Sequence, residues 1–351
     1  MQRQQDKVLL MITLVGLGLI GGVFGLVAWL IDGDSWTEST ISSNGDSLGD
    51  SSVLLAEGQL GSVQEVPSGL FNYGGSTTWI PIHDTVNRSI TNAFPDFQLR
   101  YTLPSSGAPG SGSGIKMLLG GQLSFSESSR PVKPDEYDTA ERSNFSLEQI
   151  PVAIDGIALA VNPELDIAGL NVEQIQAIYT GTITNWSELG GPDLPIQAYS
   201  RSPQEAGTAQ FFLDFVIDAD TYGSNVSFVS DTTTGIRQVA NEPGGIYYAS
   251  APEVVNQCSI YAMPVASQSR PNNFVRPYQG VWRTGSDCIE QANTINTAVF
   301  REGSYPLTRR LFVIVKADGA GDEAAGRAYA NMLLSPEGQT LIQQAGFVNV
   351  R

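Results

Sequence analysis

Three clusters rich in glycine, serine and threonine constrain the fold of this chain most strongly. They lie at residues 73–78, 110–116 and 201–208, and each directly precedes a segment with the apolar spacing of a helix. Glycine allows several backbone N–H groups to point at one spot, and a helix N-terminus adds a partial positive charge there. Hydroxyl groups and one arginine would complete a shell of hydrogen-bond donors. The clusters therefore predict three turns that together enclose an oxyanion.

Short apolar runs alternate with helical patterns along the body of the chain. The run at residues 152–161 is broken by Asp155 and Gly156 alone, as expected for a strand covered on both faces. Such alternation predicts an α/β fold with parallel sheets wrapped by helices, in which ligands bind beyond the carboxyl ends of strands. Asn171 has the side chain of a helix N-cap. We expect strands at residues 70–73, 98–103, 123–126, 152–161 and 196–199, and helices at 85–94, 115–121, 171–179 and 208–216.

Composition limits both the number of domains and the class of partner. The chain has 351 residues, of which 41% are hydrophobic and 16% charged, and this suits two globular lobes. The formal net charge of −17 argues against a nucleic acid partner, because its phosphates would be repelled over most of the surface. A small anion would be repelled at long range as well. Any oxyanion must therefore be held by local dipoles and hydrogen bonds.

The N-terminal region has the length of a membrane span. Residues 8–31 carry no charge and would form a helix of about 36 Å, against a hydrocarbon core of roughly 30 Å. Arg3 and Lys7 precede this segment, and Asp32 and Asp34 follow it. The asymmetry predicts a cytoplasmic N-terminus and an extracytoplasmic body on a single-pass anchor. A cleaved signal peptide remains the alternative, although apolar regions of signal peptides are shorter.

Residues 32–69 differ from the rest of the chain in composition. They are rich in Ser, Gly, Asp and Glu and contain few aromatic residues. Such a segment cannot form a core, so we expect a flexible linker that holds the body away from the membrane.

Several motifs occur in one order between residues 70 and 350. Ser113-Gly114-Ile115-Lys116 is followed by Phe125-Ser126-Glu127-Ser128-Ser129-Arg130-Pro131. Further motifs lie at residues 175–186, at 305–309 and at 334–347. Together they resemble the periplasmic phosphate-binding proteins of phosphate ABC transporters, in the branch that has Ser-Ser-Arg-Pro.

This resemblance implies a class II periplasmic binding-protein fold, in which two α/β lobes joined by a hinge close on phosphate. By analogy, one lobe would contain residues 70–153 and 268–351, and the other residues 154–267. These lobes would follow the anchor at residues 1–31 and the linker at 32–69.

The resemblance also implies which groups contact the anion. Arg201 would clamp the anion with two hydrogen bonds. Ala206 stands where the family commonly has a serine, so a backbone N–H would replace one hydroxyl. The implied ligand-binding residues are Ser76, Thr77, Thr78, Ser111, Ser129, Arg130, Arg201, Ala206, Gly207 and Thr208.

Position 129 departs from the common family pattern. Many members have an aspartate there, whose carboxylate accepts a hydrogen bond from the proton on phosphate, and this chain has Ser129. Glu127, Asp155 and Glu205 are candidates for the missing acceptor. Arg130 is interpreted either as a second anion clamp or as a surface cation paired to an acidic neighbour.

The cysteines and the histidine argue against a metal site and against catalysis. Cys258 and Cys288 are the two cysteines of the chain, and in an exported protein we expect a disulfide rather than two buried thiols. No Cys-x-x-Cys motif accompanies them. His83 is the one histidine and has no nucleophile elbow beside it, so we expect a loop or capping residue. No cofactor is implied.

Together with the predicted export of the body, the resemblance implies an extracytoplasmic receptor that binds inorganic phosphate and delivers it to an ABC permease. One alternative is a membrane-tethered phosphate sensor or scavenger that delivers to no permease. Another is a receptor for sulfate or a different tetrahedral oxyanion. A third is an adhesion or matrix protein that binds no small ligand.

Overall fold

A computed structural model describes residues 59–350. The anchor expected at residues 1–31 and the linker up to residue 58 lie outside this part of the chain. Within residues 59–350, no helix combines the length and the apolar character needed to cross a bilayer.

The described part of the chain alternates strands and helices. The strands are β1 (Gly69–Gly75), β2 (Phe97–Tyr101), β3 (Phe125–Ser128), β4 (Ser146–Val161), β5 (Leu170–Asn171), β6 (Gln197–Arg201), β7 (Val226–Val229), β8 (Gly245–Ser250), β9 (Tyr261–Met263), β10 (Val265–Ala266), β11 (Thr308–Ala317) and β12 (Val348–Asn349). The helices are α1 (Ile80–Ala93), α2 (Ser111–Leu119), α3 (Pro134–Arg142), α4 (Val172–Thr180), α5 (Gly207–Phe211), α6 (Thr232–Asn241), α7 (Ala251–Val255), α8 (Gly285–Glu290), α9 (Thr297–Arg301), α10 (Gly321–Leu334) and α11 (Pro336–Gln344). A π-helical turn, Phe212–Ile217, continues α5.

Ten of these strands form one mixed sheet in the order β2-β1-β3-β11-β4-β8-β6-β7, with β9 and β12 also pairing with β4. The prediction of parallel sheets is correct for β1 with β2 and β3, and for β6 with β7 and β8. It is wrong for the centre, where β11 runs antiparallel to β3 and β4, and β4 runs antiparallel to β8. Strand direction there depends on pairing between distant segments, and the hydrophobic periodicity of a sequence does not indicate which segments pair.

Strand β4 connects two hydrophobic cores. Val152 and Ala153 pack in one core with residues of β1, α1, β11 and α10. The stretch at residues 157–161 packs in a second core with residues of α4, β6 and β8. The strand begins at Ser146, earlier than expected, because β11 pairs with its first half. The division into lobes at residues 153 and 267 stays a prediction.

Helix α4 begins where the sequence indicates. The Asn171 side chain accepts a hydrogen bond from the Gln174 N–H, and the Gln174 side chain accepts one from the Asn171 N–H, both at 2.9 Å. This reciprocal pair is a capping box. Helix α4 ends at Thr180, and the φ of 81° at the following Gly181 suits glycine.

Helix α2 begins at Ser111, four residues before the predicted start. The helix therefore includes Gly112 and Gly114 of the second cluster, although glycine disfavours helix interiors, and Gly110 is its N-cap. Close packing explains one of them, because a Cβ on Gly114 would lie 2.5 Å from the Gly75 Cα atom. Ser111 consequently belongs to the first turn of a helix packed against β1.

Cys258 and Cys288 form a disulfide, as predicted, with their Cα atoms 5.5 Å apart. The bond joins the segment after α7 to helix α8. The Gly285 N–H also donates to the Cys258 carbonyl at 3.2 Å, so α8 is held at two points.

Candidate functional site

The first cluster forms the turn between β1 and α1. Gly75 ends the strand with a φ of 130°, and a Cβ there would lie 2.2 Å from the Glu127 carbonyl oxygen. Glycine is therefore required at position 75. The Ser76 N–H donates to the same carbonyl at 2.9 Å, so this turn is fixed against β3. The Ser76 hydroxyl then accepts from the Thr78 N–H at 3.3 Å.

Three serine hydroxyls from separate segments meet beside this turn. Ser76 Oγ donates to Ser129 Oγ at 2.9 Å, and Ser111 Oγ lies 3.2 Å from Ser129 Oγ. The Ser129 N–H also donates to Ser111 Oγ at 3.0 Å. All three residues are buried. The structure thus brings three hydroxyls into contact, one each from the first cluster, the start of α2 and the residue after β3.

The third cluster packs directly against these serines. A Cβ on Gly207 would lie 2.0 Å from Ser111 Oγ and 2.7 Å from Ser129 Oγ, so no larger residue fits at the start of α5. Thr208 Oγ1 lies 3.2 Å from Thr78 Oγ1. Ala206 is buried in the same turn, and its N–H donates to the Ser202 carbonyl at 2.9 Å.

Arg201 reaches the first two clusters from the end of β6. Its Nη1 donates to Thr77 Oγ1 at 3.2 Å, and its Nη2 donates to the Pro109 carbonyl at 3.3 Å. The residue is 8% exposed. Within residues 59–350 no carboxylate lies within 4 Å of this guanidinium. A buried cation held by neutral oxygens alone is a favourable partner for an anion.

Arg309 is a buried residue at the site whose role was not predicted from the sequence. The register of β11 against β4 places it opposite Asp155, and its Nε and Nη2 donate to Asp155 Oδ2 at 2.9 and 2.8 Å. Arg309 also donates to the Ser129 carbonyl and to Thr78 Oγ1. The sequence offered one indication that Arg309 belongs to the site, namely its position at the end of the motif at residues 305–309. The ion pair supports the first cluster and the Ser129 backbone from behind.

Arg130 does not join the other predicted residues. Its two terminal nitrogens donate to the Glu136 carboxylate at 2.9 and 2.6 Å, and Nη1 also donates to the Pro131 carbonyl. This supports the interpretation as a cation paired to an acidic neighbour, although the residue is buried rather than at the surface. Its guanidinium borders a separate cavity of about 850 Å³.

Two of the three candidate acceptors are already paired. Glu127 accepts from the Tyr329 hydroxyl at 2.8 Å and contacts His83 Nε2 at 2.7 Å. Asp155 binds Arg309 and accepts from the Ser250 hydroxyl at 2.6 Å. Glu205 borders the separate cavity near Arg130. None of the three borders the cavity between the first and third clusters.

His83 lies on α1, so the expectation of a loop or capping residue is wrong. Burial lowers the pKa of His83, but the adjacent Glu127 carboxylate outweighs this effect, and the pKa is raised above its usual value. The pair lies behind the first cluster, since the Glu127 carbonyl holds the Ser76 N–H. Among the described residues, no group of three potential metal ligands occurs.

Residues of the first and third clusters border a small cavity. Thr77, Thr78, Arg201 and Thr208 border it on the cluster side. It is also bordered by residues from β8 and from the helices on either side of it, namely Thr232, Tyr247, Tyr248, Ala249 and Glu253. Nine of the ten predicted ligand residues therefore surround this cavity or the adjoining serines, and Arg130 is the exception.

A family model described as the PBP superfamily domain matches residues 62–337. The phosphate-binding protein PstS of Staphylococcus haemolyticus (strain JCSC1435) is 26% identical over 279 residues, which cover 78% of this chain and 79% of that protein. The phosphate-binding protein PstS of Staphylococcus aureus (strain bovine RF122 / ET3-1) is 25% identical over 278 residues, with 78% and 76% covered.

Two solved structures share the fold. One is a putative phosphate ABC transporter substrate-binding protein with bound phosphate from Clostridium perfringens, with a TM-score of 0.63 and 24% identity. That similarity covers 81% of this chain and 100% of the other. The second is an ABC-type phosphate transport receptor from Vibrio cholerae, with a TM-score of 0.58, 20% identity, and coverage of 79% and 99%.

Proposed function

Because this chain belongs to the PBP superfamily of periplasmic binding proteins, we propose that it binds inorganic phosphate outside the cytoplasm and delivers it to an ABC permease. The names of its relatives support this proposal, since several are phosphate-binding proteins of phosphate transporters. We further propose that residues 8–31 anchor the protein to the membrane. That segment lies outside the described residues.

One observation carries the proposal. Groups from three segments distant in the chain converge, and nearly all of them are hydrogen-bond donors or hydroxyls. The Ser76, Ser111 and Ser129 hydroxyls lie within 3.2 Å of a neighbour in the group, and Gly207 packs on them. Such a dry cluster of donors is suited to an oxyanion, because each donor counts for more where water is excluded.

Arg201 would provide the positive charge for the anion. Its guanidinium is buried and hydrogen-bonded to uncharged oxygens, so an anion would give it a charged partner. A guanidinium can donate two parallel hydrogen bonds to one tetrahedral oxyanion. This local interaction would act against the net charge of −17.

Entry of the anion requires movement of the clusters. The cavity between them has a volume of about 10 Å³, which accommodates about one water molecule. Phosphate is larger than water, so we propose that the first and third clusters separate to admit the anion and then close on it. Long strand β4, which is shared by both cores, is the structural link across which this motion would occur.

Isothermal titration calorimetry of the full-length protein with phosphate tests the proposal. We expect saturable binding of one phosphate per chain, and a melting temperature that rises with phosphate concentration because the ligand stabilises the folded state. Chloride at equal ionic strength is the control. If neither heat of binding nor a rise in melting temperature occurs, the proposed function is wrong.

A further inference from the structure

The donor groups of the site do not explain how it would distinguish phosphate from sulfate. Both anions are tetrahedral and accept hydrogen bonds, but near neutral pH phosphate retains a proton and sulfate does not. A group that accepts that proton provides discrimination, because an acceptor left without a donor costs about 1–3 kcal/mol or more. Such a group must border the same cavity as the donors.

We infer that Glu253 is the group through which this site selects an oxyanion that carries a proton. The inference rests on the proposed phosphate-binding function. Glu253 lies on α7, directly after β8, and borders the same cavity as Thr77, Thr78, Arg201 and Thr208. Among residues 59–350, it is the one carboxylate that borders this cavity.

The other carboxylates near the site are committed elsewhere. Glu127 is held by His83 and Tyr329, and Asp155 is held by Arg309 and Ser250. Neither Glu127 nor Asp155 borders the cavity. Glu205 borders the separate cavity of about 850 Å³. Glu253 therefore fulfils the geometric requirement that these three do not.

Charged and titratable groups surround Glu253 on several elements. Asp155 acts on it from β4, Arg309 from β11, and Arg201 borders the same cavity from β6. Tyr247 and Tyr248 of β8 lie on the cavity wall, and Thr232 of α6 is a hydrogen-bond partner. Burial, followed by the negative charge of Asp155, raises the pKa of Glu253 to about 7, against the opposing effects of Thr232, Arg309 and a hydrogen bond from the Ser250 backbone.

A carboxyl group of this kind would share one proton with the bound anion. When Glu253 is ionised, it accepts a hydrogen bond from the P–OH group of hydrogen phosphate. When Glu253 is protonated, it donates to an unprotonated oxygen of the anion. Sulfate carries no proton, so it requires the protonated form of Glu253 and is repelled by the ionised form.

Competition between phosphate and sulfate tests this inference. The full-length protein is titrated with each anion at about pH 6 and about pH 8, which lie below and above the pKa of about 7 for Glu253. We expect the preference for phosphate over sulfate to be about tenfold or more greater at the higher pH. This measurement needs no variant.

Glu253→Gln removes the ionisable group but keeps a side chain of the same shape. Its amide can donate to sulfate and its carbonyl can accept from phosphate, so we expect the preference to fall by about tenfold and to lose its pH dependence. Glu253→Asp keeps the carboxyl and should retain the pH dependence. Glu205→Gln, the same change on the separate cavity, should leave the preference within about twofold of the wild type.

The outcomes separate this inference from the proposed function. If the wild type binds phosphate but its preference is independent of pH, or if Glu253→Gln keeps the wild-type preference, the role of Glu253 is wrong and the phosphate receptor stands. If the wild type binds no phosphate, both are wrong. Melting temperatures show whether each variant is folded. If Glu253→Gln does not fold, the pH dependence of the wild-type preference for phosphate over sulfate tests the role of Glu253 by itself.

Discussion

Two buried arginines near the site differ in what compensates their charge. Arg309 is bound to Asp155 through two hydrogen bonds from Nε and Nη2, and neither side chain is exposed. Arg201 is almost as deeply buried, but its hydrogen-bond partners are a threonine hydroxyl and a carbonyl. The comparison separates two roles. A compensated guanidinium stabilises the fold around the site, whereas an uncompensated one is available to a ligand.

Removing Asp155 should produce the largest effect. Asp155→Ala leaves Arg309 buried without a carboxylate, and we expect a loss of about 3–5 kcal/mol in the free energy of unfolding. Urea denaturation of the full-length protein measures it. Glu148→Ala removes one of the two acidic partners of Arg327 in an exposed ion pair and leaves Glu323 in place, so this control should change stability by less than about 1 kcal/mol. Equal losses in the two variants would contradict the structural role of Asp155.

Removing Arg201 should change binding rather than stability. Arg201→Ala deletes a charge-assisted contact to the anion, and we expect the dissociation constant for phosphate to rise by about tenfold or more. Calorimetry measures the constant, with Arg237→Ala as the control on the exposed side of α6. A change of less than about twofold in Arg201→Ala would remove this residue from the site.

Adding a methyl group at Gly207 should affect both properties. A Cβ there would lie 2.0 Å from Ser111 Oγ, so Gly207→Ala displaces the serine hydroxyls, at a cost of about 1–3 kcal/mol in stability and weaker phosphate binding. Gly321→Ala is the matched control, since no atom lies within 4 Å of a Cβ at that position. Wild-type stability and affinity in Gly207→Ala would show that the third cluster does not pack on the serines.

The smallest expected effect concerns pH and His83. Because Glu127 raises the pKa of His83 in the folded protein, protonated His83 contributes stability below its unfolded pKa. This contribution is lost as the pH rises through the folded value. We expect the melting temperature to fall as the pH rises above about 6.5, the ordinary pKa of histidine, and His83→Gln to reduce that fall. The same pH dependence in His83→Gln and in the wild type would contradict the linkage.

The sequence predicted local features of the fold well. The alternation of strands and helices, the N-cap at Asn171 and the turn after β1 follow from neighbouring residues, and the structure has all three. The antiparallel centre of the sheet was not predicted. It depends on pairing of β11 with β4, whose paired residues Arg309 and Asp155 are 154 positions apart, and such register has no local signature.

The same distinction applies to the candidate site. Glycine and hydroxyl clusters before helices indicated the turns, and the structure brings Ser76, Ser111 and Gly207 together. The contacts of Arg309 and the role proposed for Glu253 depend on which segments face each other in the folded chain, so sequence order could not identify them. Arg130 lies within the motif at residues 125–131, but a carboxylate six residues later, Glu136, binds its guanidinium.

The most direct test of the central claim is a crystal structure of the protein with arsenate, whose arsenic atom can be located by anomalous scattering. Arsenate is tetrahedral and close to phosphate in shape and charge. We predict one arsenate, located by its arsenic atom, whose oxygens are hydrogen-bonded to Ser76, Ser111 and Arg201. An arsenic site elsewhere, with these three residues still bonded to protein groups alone, would contradict the account.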